Sequence, residues 1–405
     1  MKIIFVNRFY APDHSATSQM LTDLATALAM DNQVHVVTSR QRYGDPAALL
    51  APYELIHGVL VDRVYTTTFG RTSLPGRALD YLSFYIAASL RLLRLARRGD
   101  VIVAKTDPPL ISVPAGWVAR IRGARLVNWL QDIFPEVAAE LHVTVARGAG
   151  GWLLRSLRNR SLRGSAANVV LGRLMRERVQ ALGVEPESVV VIPNWADGAA
   201  LQPKPTGENE LRAEWGLGDK FVVCYSGNFG RVHEFQTLLG AAGALRAQAE
   251  IVFLLIGDGA QMAAVSSAAL DLKLSNIVLK PYQPRQKLGQ SLGAADVHVV
   301  TLRPELEGLV VPSKFYGIAA VGRPTIFIGE PDGEIAAIVR EAGCGLCVRE
   351  GDVEGLVTAI MTLRDDPLTR KHMGRNARRV FDERFDKRVA VKAWRALLDS
   401  VAHGS

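Results

Sequence analysis

The residues best suited to chemistry lie in four short glycine-containing segments in the second half of the chain: Ser226–His233, Gly257–Gly259, Glu307–Lys314 and Pro331–Glu334. Ser313 is a typical helix N-cap, and a helix from Lys314 would offer free N–H groups, a positive dipole end and a lysine to an anion. The pattern predicts an anion site suited to a diphosphate, to which Arg231 and His233 could add charge. One glycine turn is ordinary in an α/β protein, but four such turns, two with basic residues, favour a functional interpretation.

Two common classes of nucleotide-binding protein are excluded because the sequence lacks their motifs. A dinucleotide dehydrogenase needs a glycine-rich turn directly after its first strand, yet the first glycine of this chain is Gly44. The sequence also lacks a Walker-type lysine loop and an Asp-x-Asp pair that could hold a divalent ion. We therefore expect no cofactor and no metal, and helix dipoles with Arg and Lys would neutralise a bound diphosphate.

The elements that must position these residues alternate between short apolar runs and longer helical segments, which predicts parallel α/β sheets. The periodicity lapses around Pro193–Lys204, so we expect one domain over residues 1–199, a second over 200–380 and an amphipathic helical tail over 381–405. Ligands of doubly wound sheets bind beyond the carboxyl ends of the strands, and we expect a cleft between two such domains. The predicted strands are Lys2–Asn7, Gln33–Thr38, Leu60–Thr66, Val101–Ala104, Arg125–Trp129, Asn168–Leu171 and Val189–Ile192 in the first domain, and Phe221–Ser226, Ile251–Gly257, Ile277–Lys280, Val297–Thr301, Thr325–Ile328 and Gly345–Val348 in the second.

Positive charge is concentrated in the first half of the chain. The net charge is +8, and residues 1–199 hold 23 Lys and Arg against 16 Asp and Glu. Two arginine-rich segments, 71–98 and 147–178, carry apolar residues between the charges, as helices on an anionic membrane surface do. The candidate membrane or acceptor residues are Arg94, Arg97, Arg98, Trp152, Arg155, Arg158 and Arg160. The alternative is a pair of domain helices with solvated basic faces, and no nucleic-acid motif accompanies the charge.

The composition indicates the cellular compartment in which the protein is expected. The longest apolar stretch, Tyr81–Ala96, is interrupted by Arg91 and Arg94, so it does not predict a membrane span. Three cysteines exclude a disulfide framework, and Cys344 and Cys347 are expected to be two buried small residues rather than a redox pair. We expect a soluble, reduced, cytoplasmic protein.

Several longer motifs carry a resemblance to a known family. The chain resembles the retaining, GT-B-fold glycosyltransferases of family 4, in particular the exopolysaccharide and O-antigen branch of colanic acid fucosyltransferases and N-acetylfucosaminyltransferases. The resemblance implies that the second domain binds a nucleotide sugar, the first binds the acceptor, and the C-terminal tail packs on the first domain. The motifs, in chain order, are Phe9–Asp13, Thr106–Pro109, Trp129–Glu136, Ile192–Trp195, Tyr225–Glu234, Pro312–Gly317 and Ala342–Gly345.

The resemblance also implies a set of donor-binding residues, with a UDP-sugar favoured over a GDP-sugar. His233 stands where many relatives have lysine, and a neutral histidine would give a weaker, pH-dependent contact, so Arg231 gains importance. Gly257 and Gly259 fall at the wall of the base pocket. The residues implied are Gly227, Asn228, Gly230, Arg231, His233, Gly257, Gly259, Gly308, Leu309, Val310, Ser313 and Lys314.

The sequence departs from the family at its Glu-x7-Glu motif. Counting back from Gly322–Pro324, the two glutamates should fall at Leu309 and Gly317, and neither residue is acidic. Glu307 is close to the first position but out of register. We therefore expect Glu334 to hold the ribose hydroxyls, with the helix N-terminal acid as its structural alternative.

The implied reaction needs charge stabilisation on a departing diphosphate and a partner for the acceptor hydroxyl. Lys314 and Arg231 are suited to the first task. Asp132, at a predicted strand end, is the first choice for positioning the hydroxyl, its alternative being a helix cap before Pro135; His14 is the second choice. Enzymes of this branch extend a sugar on a polyprenyl diphosphate carrier, so we expect a lipid-linked acceptor and a peripheral location on the inner face of the cytoplasmic membrane.

Three alternatives remain open from the sequence. A non-hydrolysing nucleotide-sugar 2-epimerase shares the two-domain architecture, but the segment Trp129–Glu136 and the motif at Pro312–Gly317 oppose it. A non-catalytic nucleotide-sugar-binding subunit is compatible with the missing motif glutamates. A soluble acceptor is compatible with a transferase.

Overall fold

The computed structural model describes residues 1–13, 15–42, 49–70, 74–143, 146 and 148–404. His14, one of the predicted site residues, lies outside these ranges. The chain forms two compact units: unit 1 is Met1–Pro193 together with Ala390–Ser405, and unit 2 is Asn194–Val389. The first boundary therefore falls six residues before the predicted one (199 − 193), and the chain returns to unit 1 at residue 390 rather than 381.

Unit 1 is built on a mixed sheet whose order, within the described residues, is β3-β4-β2-β1-β5-β6-β7-β8. All neighbouring strands are parallel except β3 and β4. The order reverses between β1 and β5, so the loops after these two strands flank the switch point at which α/β sheets bind ligands. The strands are β1 (Lys2–Val6), β2 (Gln33–Ser39), β3 (Tyr53–Ile56), β4 (Val59–Val64), β5 (Val101–Lys105), β6 (Arg125–Trp129), β7 (Ala167–Val170) and β8 (Val189–Val191).

The helices of unit 1 cover the two faces of this sheet. On one face, α2 and α3 bury Phe84, Leu92 and Val118 against β1 and β5. On the other face, Trp394 of the last helix packs edge-to-face on Trp129 of β6, with ring centroids 4.8 Å apart, and neither side chain is exposed. The helices are α1 (Ala16–Leu28), α2 (Leu74–Leu95), α3 (Ser112–Arg122), α4 (Glu136–Glu140), α5 (Gly148–Arg163), α6 (Arg173–Gln180) and α15 (Lys387–His403).

Unit 2 contains a fully parallel sheet in the order β11-β10-β9-β12-β13-β14. Its switch point lies between β9 and β12, which places the loops after these strands side by side. The strands are β9 (Phe221–Ser226), β10 (Ile251–Ile256), β11 (Ile277–Lys280), β12 (Val297–Thr301), β13 (Thr325–Ile328) and β14 (Gly345–Val348). The helices are α7 (Glu210–Glu214), α8 (Gln236–Ala244), α9 (Met262–Asp271), α10 (Leu288–Gly293), α11 (Lys314–Ala320), α12 (Glu334–Ala342), α13 (Val353–Asp365) and α14 (Pro367–Val380).

The predicted doubly wound α/β fold is confirmed, and two details differ from the sequence-based expectation. Strand β3 was missed because Tyr53, Glu54 and Leu55 are exposed on an edge strand and show no burial pattern. The tail begins with a wide π-helical turn at Phe381–Phe385, and only then does α15 start. None of the helices in the described part of the chain is long and apolar enough to cross a membrane.

The contact between Trp394 and Trp129 yields a first test. Because Trp394 is fully buried, Trp394→Ala should lower the free energy of unfolding of unit 1 by about 3–5 kcal/mol through lost burial and a cavity. Urea denaturation followed by circular dichroism measures the change. Lys392→Ala, an exposed position of the same helix, is the control and should change stability by less than about 0.5 kcal/mol. Equal effects of the two substitutions would show that α15 contributes no core packing.

Candidate functional site

The Lys314 ammonium group is the centre of a side-chain cluster at the switch point of unit 2. Its Nζ lies 2.8 Å from Tyr225 Oη and 2.8 Å from His233 Nε2. His233 Nδ1 lies 2.6 Å from the Thr301 carbonyl oxygen, which can only accept, so Nδ1 carries the hydrogen. His233 Nε2 is therefore the acceptor for Lys314, and the tautomer is fixed by strand β12.

Burial determines the charge state of this cluster. Burial and the neighbouring Lys314 charge lower the pKa of His233 to about 3, so the imidazole is neutral at physiological pH. Burial also lowers the pKa of Lys314 to about 7, and within the described part of the chain no carboxylate opposes this shift. His233 is thus the neutral histidine that the sequence analysis considered, and with a pKa of about 3 its own titration does not make its contact pH-dependent near pH 7. The titratable cation is Lys314, supplied by the element after β12.

Glycines let the surrounding loops approach one another. A Cβ on Gly227 would lie 3.0 Å from Lys314 Cε, and Gly227 also has φ +139°. A Cβ on Gly257 would lie 2.0 Å from the Gly227 carbonyl oxygen, and one on Gly259 would lie 2.4 Å from Asn228 Oδ1. The loops after β9 and β10 are thus stacked at distances that only glycine permits.

Two side chains donate hydrogen bonds to the backbone of the loop after β9. Gln261 Nε2 donates to the carbonyl oxygens of Gly230 and His233, at 2.7 and 2.9 Å. Tyr225 Oη donates to the Asn228 carbonyl at 2.7 Å. The side chains of Asn228 and Arg231 are exposed at this loop, where an anion from solvent can reach them.

The predicted capping role of Ser313 is wrong. Ser313 has helical backbone angles, φ −70° and ψ −16°, and its side chain makes no capping hydrogen bond. Helix α11 spans only seven residues, so the lysine side chain rather than a capped helix end supplies the positive charge. In the loop before α11, Gly308 has φ +74° and the Leu309 side chain is buried. At these two positions the polar groups available to a ligand are therefore those of the backbone.

Glu307 lies outside the register of the Glu-x7-Glu motif, in the loop between β12 and α11, and it is buried. Its carboxylate accepts the backbone N–H of Glu334 at 3.3 Å. A Cβ on Gly333 would lie 2.2 Å from Glu307 Oε1, so the carboxylate fits against the first residues of α12. Burial, together with the charges of Glu334 and Glu330, raises the pKa of Glu307 to about 7. Glu334 begins α12 and is half-buried, so the structure brings both glutamates together.

Sequence reasoning missed one aromatic residue at this edge of the sheet. Tyr282 follows β11, its side chain is 54% exposed, and its hydroxyl donates to the Asp258 carbonyl at 3.3 Å. An exposed ring beside Gly257–Gly259 offers a face on which a planar base can stack. The signal available in the sequence was a tyrosine directly after a predicted strand.

In unit 1, Asp132 lies where β6 ends, beside the turn after β5. The Gln131 N–H donates to Thr106 Oγ1 at 3.1 Å, which ties the two segments together. Burial, with the charge of Asp107, raises the pKa of Asp132 to about 6, while a hydrogen bond from Thr106 opposes the rise. Helix α4 starts at Glu136 with Pro135 as its N-cap, so the alternative of Asp132 as a helix cap is wrong.

Two further ionisable residues lie at the end of β5, and one of them, Asp107, influences the pKa of Asp132. Asp107, at the switch point after β5, accepts from Thr17 Oγ1 at 3.4 Å and influences the pKa of its neighbours. Lys105 is buried with its Nζ 3.4 Å from the ring centroid of Trp129, and burial lowers its pKa far below the usual value. From the sequence, Asp107 is identified only as part of the motif Thr106–Pro109, with no role of its own.

The predicted membrane residues divide into two groups. Arg158 is buried and donates to both carboxylate oxygens of Glu136, at 3.0 and 2.6 Å, so its assignment to a membrane surface is wrong. Arg155 lies 3.6 Å from Glu136 and is half-buried. The remaining five predicted side chains are exposed: Arg94, Arg97, Arg98, Trp152 and Arg160.

The cysteines and acidic groups indicate no other chemistry. Cys224 and Cys344 are buried free thiols and Cys347 is half-buried, and burial raises the pKa of Cys344 to about 12. Among the described residues, no three His, Cys, Asp or Glu side chains converge as metal ligands do.

Comparison with known proteins agrees with this architecture. Residues 16–195 match the family model "Glycosyl transferase 4-like domain", and residues 207–380 match "Glycosyl transferases group 1". The chain is 30% identical over 292 residues to the "Putative colanic acid biosynthesis glycosyl transferase WcaI" of Escherichia coli K12, covering 70% of this chain and 71% of WcaI. It is 29% identical over 332 residues to the probable glycosyltransferase WbjE of Pseudomonas aeruginosa, covering 80% and 81%. The solved Anabaena HepE in complex with UDP-glucose superposes with TM-score 0.76 over 99% of this chain and 100% of HepE, at 17% identity.

Two α/β domains with these strand orders form the architecture of the GT-B glycosyltransferases. The chain belongs to the family 4, group 1 glycosyltransferases that act in polysaccharide biosynthesis. Of the functions that the sequence left open, the sugar transferase is the one that this membership supports.

The lack of a carboxylate partner for Lys314 can be tested through stability. Lys314→Met should raise the free energy of unfolding of unit 2 by about 1–3 kcal/mol at pH 7, because it removes a half-buried cation that no carboxylate among the described residues neutralises. The native pKa is about 7, whereas the unfolded chain holds the proton to about pH 10.4. Wild-type stability therefore rises with pH across this window, and the advantage of the variant should shrink between pH 7 and 10.

Thermal unfolding at several pH values measures this difference. Lys371→Met, at an exposed lysine of unit 2, is the matched control and should give a small, pH-independent change. A destabilised Lys314→Met variant at pH 7 would mean that the lysine contributes packing that outweighs its desolvation.

Proposed function

We propose that this glycosyltransferase moves a sugar, with retention of anomeric configuration, from a nucleoside-diphosphate sugar to a polyprenyl-diphosphate-linked saccharide. Unit 2 binds the donor, and unit 1 binds the acceptor. The observation that carries the proposal is the Lys314 cluster at the switch point of unit 2, where a cation that pairs with no carboxylate of the described residues lies beside glycine loops.

The donor diphosphate fits the chemistry of this cluster. Lys314 holds its ammonium in place with two neutral acceptors, and Arg231 is exposed on the adjacent loop. A diphosphate would supply the anionic partner that the lysine lacks, and the same contacts would stabilise the charge that develops on the leaving group. HepE, which shares this fold, is known in complex with UDP and with UDP-glucose, which supports a UDP-sugar as the first donor to test. We expect binding without added metal.

The remaining donor contacts follow from neighbouring residues. Glu307 and Glu334, both at the carboxyl edge of the sheet, are suited to accept hydrogen bonds from hydroxyls of the nucleotide sugar. Tyr282 offers its ring to the base. Glu307 replaces Glu334 as the principal candidate, because it is the acid buried in this region.

The acceptor hydroxyl needs a group that orients it and holds or relays its proton. Asp132 lies at the carboxyl edge of the unit 1 sheet, and its Oδ1 has no hydrogen-bond partner among the described residues. Its raised pKa leaves it ionised at neutral pH but close to its titration range, as suits a group that exchanges a proton. We assign to Asp132 the positioning of the acceptor hydroxyl, with Asp107 nearby to influence its charge.

A lipid-linked acceptor is supported by charge. The excess of Lys and Arg lies in residues 1–199, which form most of unit 1, and the exposed arginines of α2 and α5 are available to anionic headgroups. WcaI, a relative, is a colanic acid biosynthesis enzyme, which agrees with a surface polysaccharide. We infer that the protein acts as a peripheral enzyme on the inner face of the cytoplasmic membrane.

Calorimetric titration with UDP, GDP and ADP in metal-free buffer tests the donor site. We expect micromolar binding of one nucleoside diphosphate, with UDP the first candidate, and a loss of about 10- to 100-fold in Lys314→Met. Affinity should decline above pH 7, because the free enzyme loses the Lys314 proton there while the bound anion favours its retention. Lys371→Met is the control. Folded protein that binds none of the three nucleotides would refute the donor site.

Asp132→Asn tests the acceptor site. We expect kcat for sugar transfer to fall by about 10²- to 10³-fold, because a neutral amide cannot accept the proton, while UDP affinity stays unchanged. The wild-type rate should also fall as the pH drops below about 6, where Asp132 becomes protonated. Asp100→Asn serves as the control, because its ion pair with Lys2 lies at the amino ends of β1 and β5, at the edge of the sheet opposite Asp132. A variant with full activity would remove Asp132 from the mechanism.

A further inference from the structure

Three neighbouring helices of unit 1 present large apolar side chains to solvent. Helix α3 packs against both α2 and α5, and Ser161 of α5 donates to Ser112 of α3 at 2.9 Å. Their exposed apolar residues form what we name the three-helix face: Leu79, Leu82, Ile86, Leu90, Trp117, Ile121, Trp152, Leu153 and Leu157. Trp117, Ile121 and Trp152 are 68%, 70% and 69% exposed.

The face is distinct from the core of the unit. Along α2, Asp80, Phe84, Ala88 and Leu92 are buried, whereas Leu79, Leu82, Ile86 and Leu90 point the other way. An ordinary surface helix would carry polar residues at the second set. Nine large apolar side chains exposed on three neighbouring helices are more than the single scattered hydrophobics of an ordinary surface, and such a concentration marks an interaction site.

Arginines border the face at one edge. Since α2, α3 and α5 connect parallel strands, their C-termini lie at the same edge of the layer. The Arg122 Nε donates to the Ala96 carbonyl at 2.9 Å, which places the ends of α2 and α3 together. The exposed arginines at this edge, named the arginine belt, are Arg94, Arg97, Arg98, Arg120, Arg122, Arg160 and Arg163.

The charge pattern selects one occupant. Helices α3 and α5 contain no acidic residue, and the only one in α2, Asp80, is buried. A second copy docked through the same three helices would offer the arginine belt no exposed acidic side chain. A bilayer with anionic lipids provides both an apolar interior for the aliphatic and indole groups and phosphates for the guanidinium groups.

We propose that the three-helix face is the surface by which unit 1 embeds in an anionic bilayer, with Trp117 and Ile121 of α3 among the inserted residues. This inference deepens the proposed function and rests on it for the lipid-linked acceptor. The sequence pattern predicted membrane contact through arginines and Trp152 of two segments, 71–98 and 147–178, with apolar residues between the charges, and did not include α3. Here the apolar groups of three helices supply the insertion, and the arginine belt adds an electrostatic part.

Co-sedimentation of the 405-residue protein with phosphatidylcholine vesicles, with or without phosphatidylglycerol, tests this inference. We expect binding to the phosphatidylglycerol vesicles, part of which resists high salt because apolar insertion is not screened. The triple variant Leu82→Ser, Ile86→Ser, Trp117→Ser should lose at least about tenfold in partitioning. The variant Arg94→Gln, Arg97→Gln, Arg98→Gln should lose only the salt-sensitive part.

The matched control places the same chemical change on exposed apolar residues of unit 2. Leu270→Ser, Leu272→Ser, Leu368→Ser should bind vesicles as the wild type does. Tryptophan fluorescence gives a second readout, since exposed Trp117 and Trp152 should shift to the blue on vesicle binding and Trp117→Phe with Trp152→Phe should remove that shift.

Undiminished vesicle binding by the triple serine variant would overturn the inference, as would a wild-type protein that binds neither kind of vesicle. A dimer in vesicle-free solution that the triple serine variant abolishes would also overturn it and assign the face to a second copy. UDP calorimetry and sugar transfer to a water-soluble saccharide, both without vesicles, test the proposed function separately. Retained UDP binding also shows that the triple variant is folded.

Discussion

The hydrogen bonds from the Lys314 ammonium to two neutral acceptors, Tyr225 Oη and His233 Nε2, fix the loops that follow β9 and β12 in unit 2. Each partner is itself constrained: strand β12 fixes the tautomer of His233, and the Tyr225 hydroxyl is committed to a backbone carbonyl. Gly227 must be a glycine because the lysine side chain passes over it. A charge held by acceptors that are already occupied elsewhere keeps its position without being neutralised, which is the state that an anion site requires.

The strands of unit 2 could be predicted from the sequence because buried parallel strands are continuous apolar runs bounded by glycine. The parts that could not be predicted depend on contacts between distant segments. The partnership of His233 with Lys314 joins residues 81 positions apart, and no local pattern reveals it. Arg158 looked like its neighbours in a basic helix, and only the fold shows that Glu136 takes it out of solvent. Glu307 lies two residues before the position that the Glu-x7-Glu motif predicts. A buried carboxylate nevertheless requires only space and hydrogen-bond donors, which do not depend on a fixed spacing in the sequence.

Within unit 1, two kinds of polar feature occupy opposite edges of one sheet. Asp107 and Asp132 follow the carboxyl ends of β5 and β6, whereas the arginine belt lies at the C-termini of the helices, beside the amino ends of the strands. The length of the strands separates them. We therefore expect changes to the surface charge of the belt to leave the two half-buried acids and their hydrogen bonds unchanged.

The course of the chain has a consequence for biosynthesis. Trp129 is completed as a core residue only when Trp394 covers it, yet all of unit 2 lies between them in the chain. On the ribosome, unit 2 can fold as soon as its own residues have emerged, while unit 1 must wait with an open apolar surface until α15 has been synthesised. The domain that begins the chain is thus the last to finish folding, and chaperones would encounter its uncovered indole ring throughout that interval.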